Sequence, residues 1–138
     1  MKHRMLVMAG AVLLVAGASG CASGLNRPVK EVTAIAGTDH VQRLTITTHT
    51  FYFDPNRLVV KRGIPVELTI KNGAFFVPHD FSCEAKEAGI DIDASVGMFH
   101  GSKRVRFTPT RAGEYHFHCD VDHHATKGMM GMLVVVEP

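Results

Sequence analysis

The chain has 138 residues, enough for one domain, and its three cysteines exclude a disulfide-dense miniprotein. Setting aside Lys2 and Arg4 of the N-terminal segment leaves 13 basic against 13 acidic side chains, so the remainder is formally neutral. A nucleic-acid partner therefore has no electrostatic support.

Lys2 and Arg4 flank the start of an apolar run from Met5 to Ala18, a pattern of the secretory type. The run is shorter than the ~20 residues a membrane-spanning helix needs. Small residues from Ala16 to Gly20 then lead to Cys21. Ala18-Ser19-Gly20-Cys21 resembles a bacterial lipoprotein box, with Ala18 where Leu is usual. That resemblance implies acylation of Cys21 and an anchor at a periplasmic membrane face that does not span the bilayer. Ordinary cleavage nearby would leave Cys21 an unpaired thiol instead. Residues 1–21 are thus expected to be an export signal. Residues 22–40, small, polar and weakly patterned, are expected to be a flexible tether.

From Val41 the pattern turns to period two. Leu44, Ile46 and Thr48 alternate with polar neighbours, followed by Phe51-Tyr52-Phe53 and the turn residues Asp54-Pro55-Asn56. Leu58-Val59-Val60 runs to a turn at Lys61-Arg62-Gly63, and Val66, Leu68 and Ile70 alternate as far as Asn72-Gly73. Glu84 to Ala88 suits one helical turn before Gly89. Val105 and Phe107 alternate with arginines, and residues 109–113 turn the chain. Tyr115, Phe117 and Cys119 share one strand face and His116 and His118 the other. Leu133 to Val136 is apolar on both faces, which predicts an internal strand. Six to eight strands with regular turns predict an all-β fold: a two-sheet antiparallel sandwich with Greek-key connections over residues 41–138.

The chemistry concentrates after the Tyr115 strand. Cys119 is followed by four residues, His124, four more residues, Met129 and a Gly-containing turn into the last strand. His79 stands upstream in Phe75-Phe76-Val77-Pro78-His79-Asp80-Phe81. Two imidazoles, a thiolate and a thioether form the donor set of a mononuclear electron-transfer copper site. A soft thiolate suits copper in both redox states, and a thioether disfavours full Cu(II) coordination. Asp80 is positioned to accept hydrogen bonds from amides of the Cys119 loop and steady it, or to act as an ordinary loop cap. His123 competes with His124, and Met130 and Met132 with Met129. Cys83, four residues after His79, is expected to be a reduced thiol.

Tyr115-His116-Phe117-His118-Cys119, with His124 and Gly128-Met129-Met130-Gly131-Met132-Leu133-Val134-Val135, resembles the C-terminal signature of the cupredoxins. Asn72 and His79-Asp80-Phe81 resemble the segment that carries their first imidazole ligand. The resemblance covers about Val41 to Pro138 and implies a β-sandwich with one type 1 copper at its end. It makes His79, Cys119 and His124 the strong ligands and Met129 the weak axial one. The spacers around His124 match the nitrite-reductase and multicopper-oxidase forms of the signature, which favours His124 over His123.

An enzyme is not expected. Multicopper oxidases place a second His where Asp120 stands, and outside the His116–Cys119 stretch no His-x-His motif completes their cluster. Nitrite reductases carry two such sandwiches, and this chain has one. A binuclear copper A centre needs a second Cys where His123 stands. Structural zinc prefers a closed set richer in thiolates. The expectation is a monomeric, exported carrier of single electrons with redox-protein partners. The alternative is copper storage or delivery to copper-accepting proteins, favoured by the many soft ligands among Met98, His100, His116, His118, His123, Met130 and Met132. His40, His49 and His100 read as solvated loop residues. Phe75, Phe76, Val77, Pro78, Ala125 and Met130 are expected to surround the His124 ring as an apolar docking patch.

Overall fold

The computed structural model describes residues 27–138, so the expected export signal and Cys21 lie outside the described residues. Among the described residues, eleven strands form two sheets around one core. They are β1 (Glu31–Thr33), β2 (Ile35–Ala36), β3 (Gln42–His49), β4 (Tyr52–Asp54), β5 (Arg57–Lys61), β6 (Val66–Asn72), β7 (His79–Ala85), β8 (Ile90–Val96), β9 (Ser102–Phe107), β10 (Gly113–His118) and β11 (Met130–Val136). One sheet has the order β1-β5-β11-β10-β7-β8. The other has β2-β3-β6-β9, with β4 beside β3. The sandwich is as expected, and the count exceeds eight only through the two- and three-residue strands β1, β2 and β4.

Two sequence expectations need correction. A flexible tether is expected as far as residue 40, yet β1 pairs with β5 and β2 with β3, one in each sheet. Short segments gain their hydrogen bonds from partners distant in sequence, so small polar neighbours hide them. The sheets are also mixed rather than purely antiparallel: β1 and β11 both run parallel to β5, and β3 runs parallel to β6. Alternation reports which face a residue occupies and carries no information on strand direction. The single turn before Gly89 is present as Lys86–Ala88, closed by Gly89 at φ 70.

The core follows the period-two pattern. Ile46, Leu68 and Ile70 face Leu58, Phe81, Ile90, Phe117 and Leu133, all within 1% of full burial. Phe53, Phe81 and Phe117 pack as a triad, with Phe81 stacked on Phe117 at 4.7 Å between centroids and Phe53 edge-on to both. Such aromatic contacts add to their area burial. Phe81 lies two residues after His79, and Phe117 two before Cys119. Strand alternation therefore turns His79 and Cys119 inward, directly above the triad. Gly131 is required here, because a Cβ would overlap the Phe117 ring edge and the Asn56 carbonyl. β11 is internal, as expected, between β5 and β10.

β7 and β10 are antiparallel neighbours joined at a single registered pair, His118 with Ser82. By contrast β10 is paired with β11 over its whole length, Gly113 to His118 against Met130 to Val135. The first residue of β7 and the residue just beyond β10 thus meet at one end of the sandwich.

Candidate metal centre

His79 opens β7 and Cys119 follows β10, so antiparallel pairing brings two residues forty positions apart to the same end of the sheet. His124 arrives by a local route. Its amide donates to the Val121 carbonyl at 3.0 Å, and the short turn Ala125–Lys127 follows it. Gly128, at φ 96, reverses the chain, a conformation glycine adopts without strain. Two further backbone bonds close the loop: Cys119 N–H to Met129 C=O at 3.2 Å and Met129 N–H to His124 C=O at 3.1 Å. The loop is therefore fixed by its own backbone.

The three expected strong ligands converge. Cys119 Sγ lies 3.5 Å from His124 Nδ1 and 3.9 Å from His79 Nδ1, and one donor atom of each residue falls within 4.8 Å of the others. All three side chains are buried, and Met129, the expected axial ligand, is fully buried beside them in sequence and backbone bonding. First-row metal bonds of about 2.0–2.1 Å to nitrogen and 2.3 Å to sulfur place S and N about 3.6–3.8 Å apart around one ion. The observed separations match that spacing, so the residues fit a bound metal. His123 is exposed and outside the group, while Met130 is 43% exposed. Burial separates Met129 from its competitor Met130 and His124 from His123.

The electrostatics suit neutral ligands awaiting a cation. Burial, with the nearby His124 and His49, lowers His79 from 6.5 to about 4, so its ring is neutral at physiological pH. Burial also lowers His124, with Lys127 adding to the effect. The Cys119 thiol is pushed up to about 11, chiefly by burial. A metal ion reverses that preference by binding the thiolate. The Asp80 amide already points at Cys119 Sγ, 3.5 Å away. His79 Nε2 is buried with no hydrogen-bond partner, so on that side packing alone holds the ring, while Nδ1 faces Cys119 Sγ at 3.9 Å.

Asp80 also has the role of steadying the loop. Its Oδ1 accepts the Asp120 N–H at 2.6 Å, clamping the residue that follows Cys119. Two other supports hold the centre, Asn72, whose bonding role the sequence does not show, and Phe51. Asn72, 2% exposed, donates from Nδ2 to the Val77 and Gly97 carbonyls at 2.8 and 2.9 Å. Its Oδ1 accepts the Ala74 N–H at 2.8 Å and the Thr48 hydroxyl at 3.3 Å. The segment leading to His79 hangs from this one side chain. Phe51, at φ 65, sets its ring edge-on to His124 at 5.0 Å, and Lys127 Nζ sits 4.2 Å over the same ring.

The ring packed on His124 belongs to Phe51, which is not among the residues expected to surround it. Phe51 covers the ring, whereas Phe75 packs edge-on against Phe76 and Phe99 at 4.7 and 5.1 Å. Phe76 and Phe99 are 71% and 61% exposed, so this cluster is surface rather than core. His100 joins it, with Nδ1 3.3 Å from the Asn72 carbonyl, and His49 stacks on Tyr52 instead of lying free in solvent. A cleft of ≈ 320 Å³ lined by Cys119, Asp120, His123, His124 and Ala125 opens the loop to solvent. Cys83 is a free buried thiol on the same strand face as His79, raised to about 12 by burial, and stands outside the donor group.

A family model described as "Cupredoxin-like domain" matches residues 7–135. No curated protein gives a significant match. Among solved structures, the chain is similar to the metal-binding domain of the Cu(I)-exporting P-type ATPase CopA of Streptococcus pneumoniae D39, solved with Cu(I). The identity is 23% and the TM-score 0.60, covering 80% of this chain and all of that one. Dithionite-reduced auracyanin from Roseiflexus castenholzii matches at 23% identity and TM-score 0.58, covering 68% of this chain and 96% of that one. Rusticyanin from Thiobacillus ferrooxidans matches at 21% and 0.58, covering 77% and 82%. At these identities the likeness establishes a shared fold.

Proposed function

The chain belongs to the cupredoxin-like domain family, and we propose that it holds one copper ion through His79, Cys119, His124 and Met129 and carries single electrons. The observation that carries this reading is the buried convergence of His79 Nδ1, Cys119 Sγ and His124 Nδ1. A bound copper ion supplies the one-electron Cu(I)/Cu(II) couple.

The protein's part is to hold still. His79 is anchored by strand β7, Cys119 by the end of β10, and His124 and Met129 by the backbone bonds that close their loop. Ligands placed by rigid elements need little movement when charge changes, which favours fast transfer. The Asp80 amide stabilises negative charge on the sulfur, and Phe51 shields the His124 ring from water. The cleft beside His124 offers the electron its way in. Phe75, Phe76 and Phe99 form the apolar surface on which a redox-protein partner docks. The leader read in residues 1–21 supports an exported, periplasmic protein, with Cys21 as its lipid anchor. The sandwich acts as a monomer. No helix among the described residues is long and apolar enough to cross a membrane.

A second reading, copper storage or delivery, is favoured by the exposure of Met98 and Met130 at 44% and 43%. The absorption spectrum of the copper-loaded, oxidised chain separates the two. We expect an intense visible thiolate-to-copper band that vanishes in Cys119→Ser and persists in His123→Ala. A colourless, tightly held Cu(I) form that resists oxidation would overturn the carrier reading in favour of delivery. Nitrite turnover by the loaded chain would overturn it in favour of an enzyme.

A further inference from the structure

The outer face of the larger sheet carries a second group of soft donors that the buried centre does not use. Register pairs His116 with Met132 and His118 with Met130 across β10 and β11. Phe117, Leu133 and Val135 of the same strands are buried, so alternation places both histidines and both methionines on the opposite, solvent side. Directly paired residues have Cβ atoms about 4.5–5.5 Å apart. Successive rungs on one face are about 7 Å apart along the strands. Two imidazoles and two thioethers thus form a compact ladder of two rungs.

The ladder's surroundings suit a cation. His118 Nε2 is 2.9 Å from Asp120 Oδ1, a carboxylate that orients the ring and leaves Nδ1 as the free donor. Arg57 lies beside His116, Met130 and Met132 at a cleft of ≈ 380 Å³, but its charge is committed to Glu31 at 2.9 Å and Glu114 at 2.7 Å. Met130 is 43% exposed, so its side chain is open to an incoming ion.

We propose that His116, His118, Met130 and Met132 form a second metal site that takes a soft monovalent cation, Cu(I), more weakly than the buried centre. Thioethers select this class: they bind Cu(I) well and hard divalent ions poorly. The site shares no ligand with the buried centre and does not rest on the proposed electron-carrier function. It gives the outer face a copper-holding role beside the loop that contains Cys119.

The test is an anaerobic titration of the full chain, in a Cys21→Ser background, with Cu(I) against a coloured Cu(I) chelator. The background protein is expected to bind two equivalents, the second at least tenfold weaker. Met130→Leu/Met132→Leu, which conserves volume and apolarity, is expected to bind one, as is His116→Gln/His118→Gln. Cys119→Ser is expected to keep the weaker equivalent. The methyl resonances of Met130 and Met132 should shift with that equivalent when Ag(I) is the probe. The proposal is overturned if the paired Met variant still binds two equivalents, or if the background protein binds a single equivalent that Cys119→Ser abolishes. A single equivalent lost only in the paired Met variant would support the ladder while sinking the buried centre.

Discussion

The Asp80 carboxylate accepts the Asp120 amide at 2.6 Å while the Asp80 amide points back at Cys119 Sγ at 3.5 Å. One residue, adjacent in sequence to the proposed ligand His79, thereby holds the Cys119 segment by two groups. We predict that Asp80→Ala loosens the Cys119 loop without removing a ligand. A hydrogen bond to a charged group contributes about 1.5–3 kcal/mol, so urea unfolding of the metal-free chain should show a loss of about that size. Copper should dissociate faster from the variant, and the visible band should shift but survive. An unchanged off-rate would reduce Asp80 to an ordinary cap.

Copper uptake should release a proton. The Cys119 thiol, pushed up to about 11, is protonated at neutral pH, whereas His79 is already neutral. The ligand form of cysteine is the thiolate, so binding displaces one proton. We expect a pH-indicator dye to report about one proton per copper at pH 7, and the apparent affinity to rise about tenfold per pH unit. Cys119→Ser should release none.

Acid should destabilise the metal-free chain over a defined window. His79 is lowered from 6.5 to about 4. Between those values the unfolded chain takes up a proton that the folded chain refuses, so stability is present above 6.5 and is lost as pH falls through 4. His124 is lowered as well and adds in the same direction. The urea midpoint should therefore fall from pH 6.5 to 4, and more shallowly in His79→Gln. Copper should move the fall to lower pH by competing with protons for the same nitrogens.

Asn72→Ala tests the support behind His79. It would strand the Val77 and Gly97 carbonyls and the Ala74 amide, all of which now share one buried side chain. The expected cost is about 2–4 kcal/mol, with weaker copper binding because residues 73–78 lose their anchor. Full copper affinity in a destabilised Asn72→Ala would show that β7 alone places His79.

Much of the centre was legible because it is written locally. Cys119, His124 and Met129 sit in one loop, and the alternation of Phe117 and Cys119 is enough to turn the sulfur inward. Spacing left two choices open, and the fold encloses His124 and Met129 while leaving His123 and Met130 exposed. What stayed hidden depends on distant partners. β8 alternates Ile90, Ile92, Ala94 and Val96 on its buried face and was passed over, although the period-two signal was present. β1 and β2 are too short to show a period at all. Phe51 reaches His124 only because its backbone adopts a left-handed turn, which its neighbours in sequence do not announce. Asn72 was noticed as a strand end, but its four hydrogen bonds join segments that only folding brings together.

The single registered pair between β7 and β10 makes that line the sheet's thinnest seam. His79 belongs to the hairpin on one side and Cys119 to the block on the other, so an ion held by both acts as a rivet across it. Without metal, amides along β7 and β8 should exchange with solvent sooner than those of β10 and β11. Loading would then be felt as mechanical closure of the molecule as well as occupation of a site.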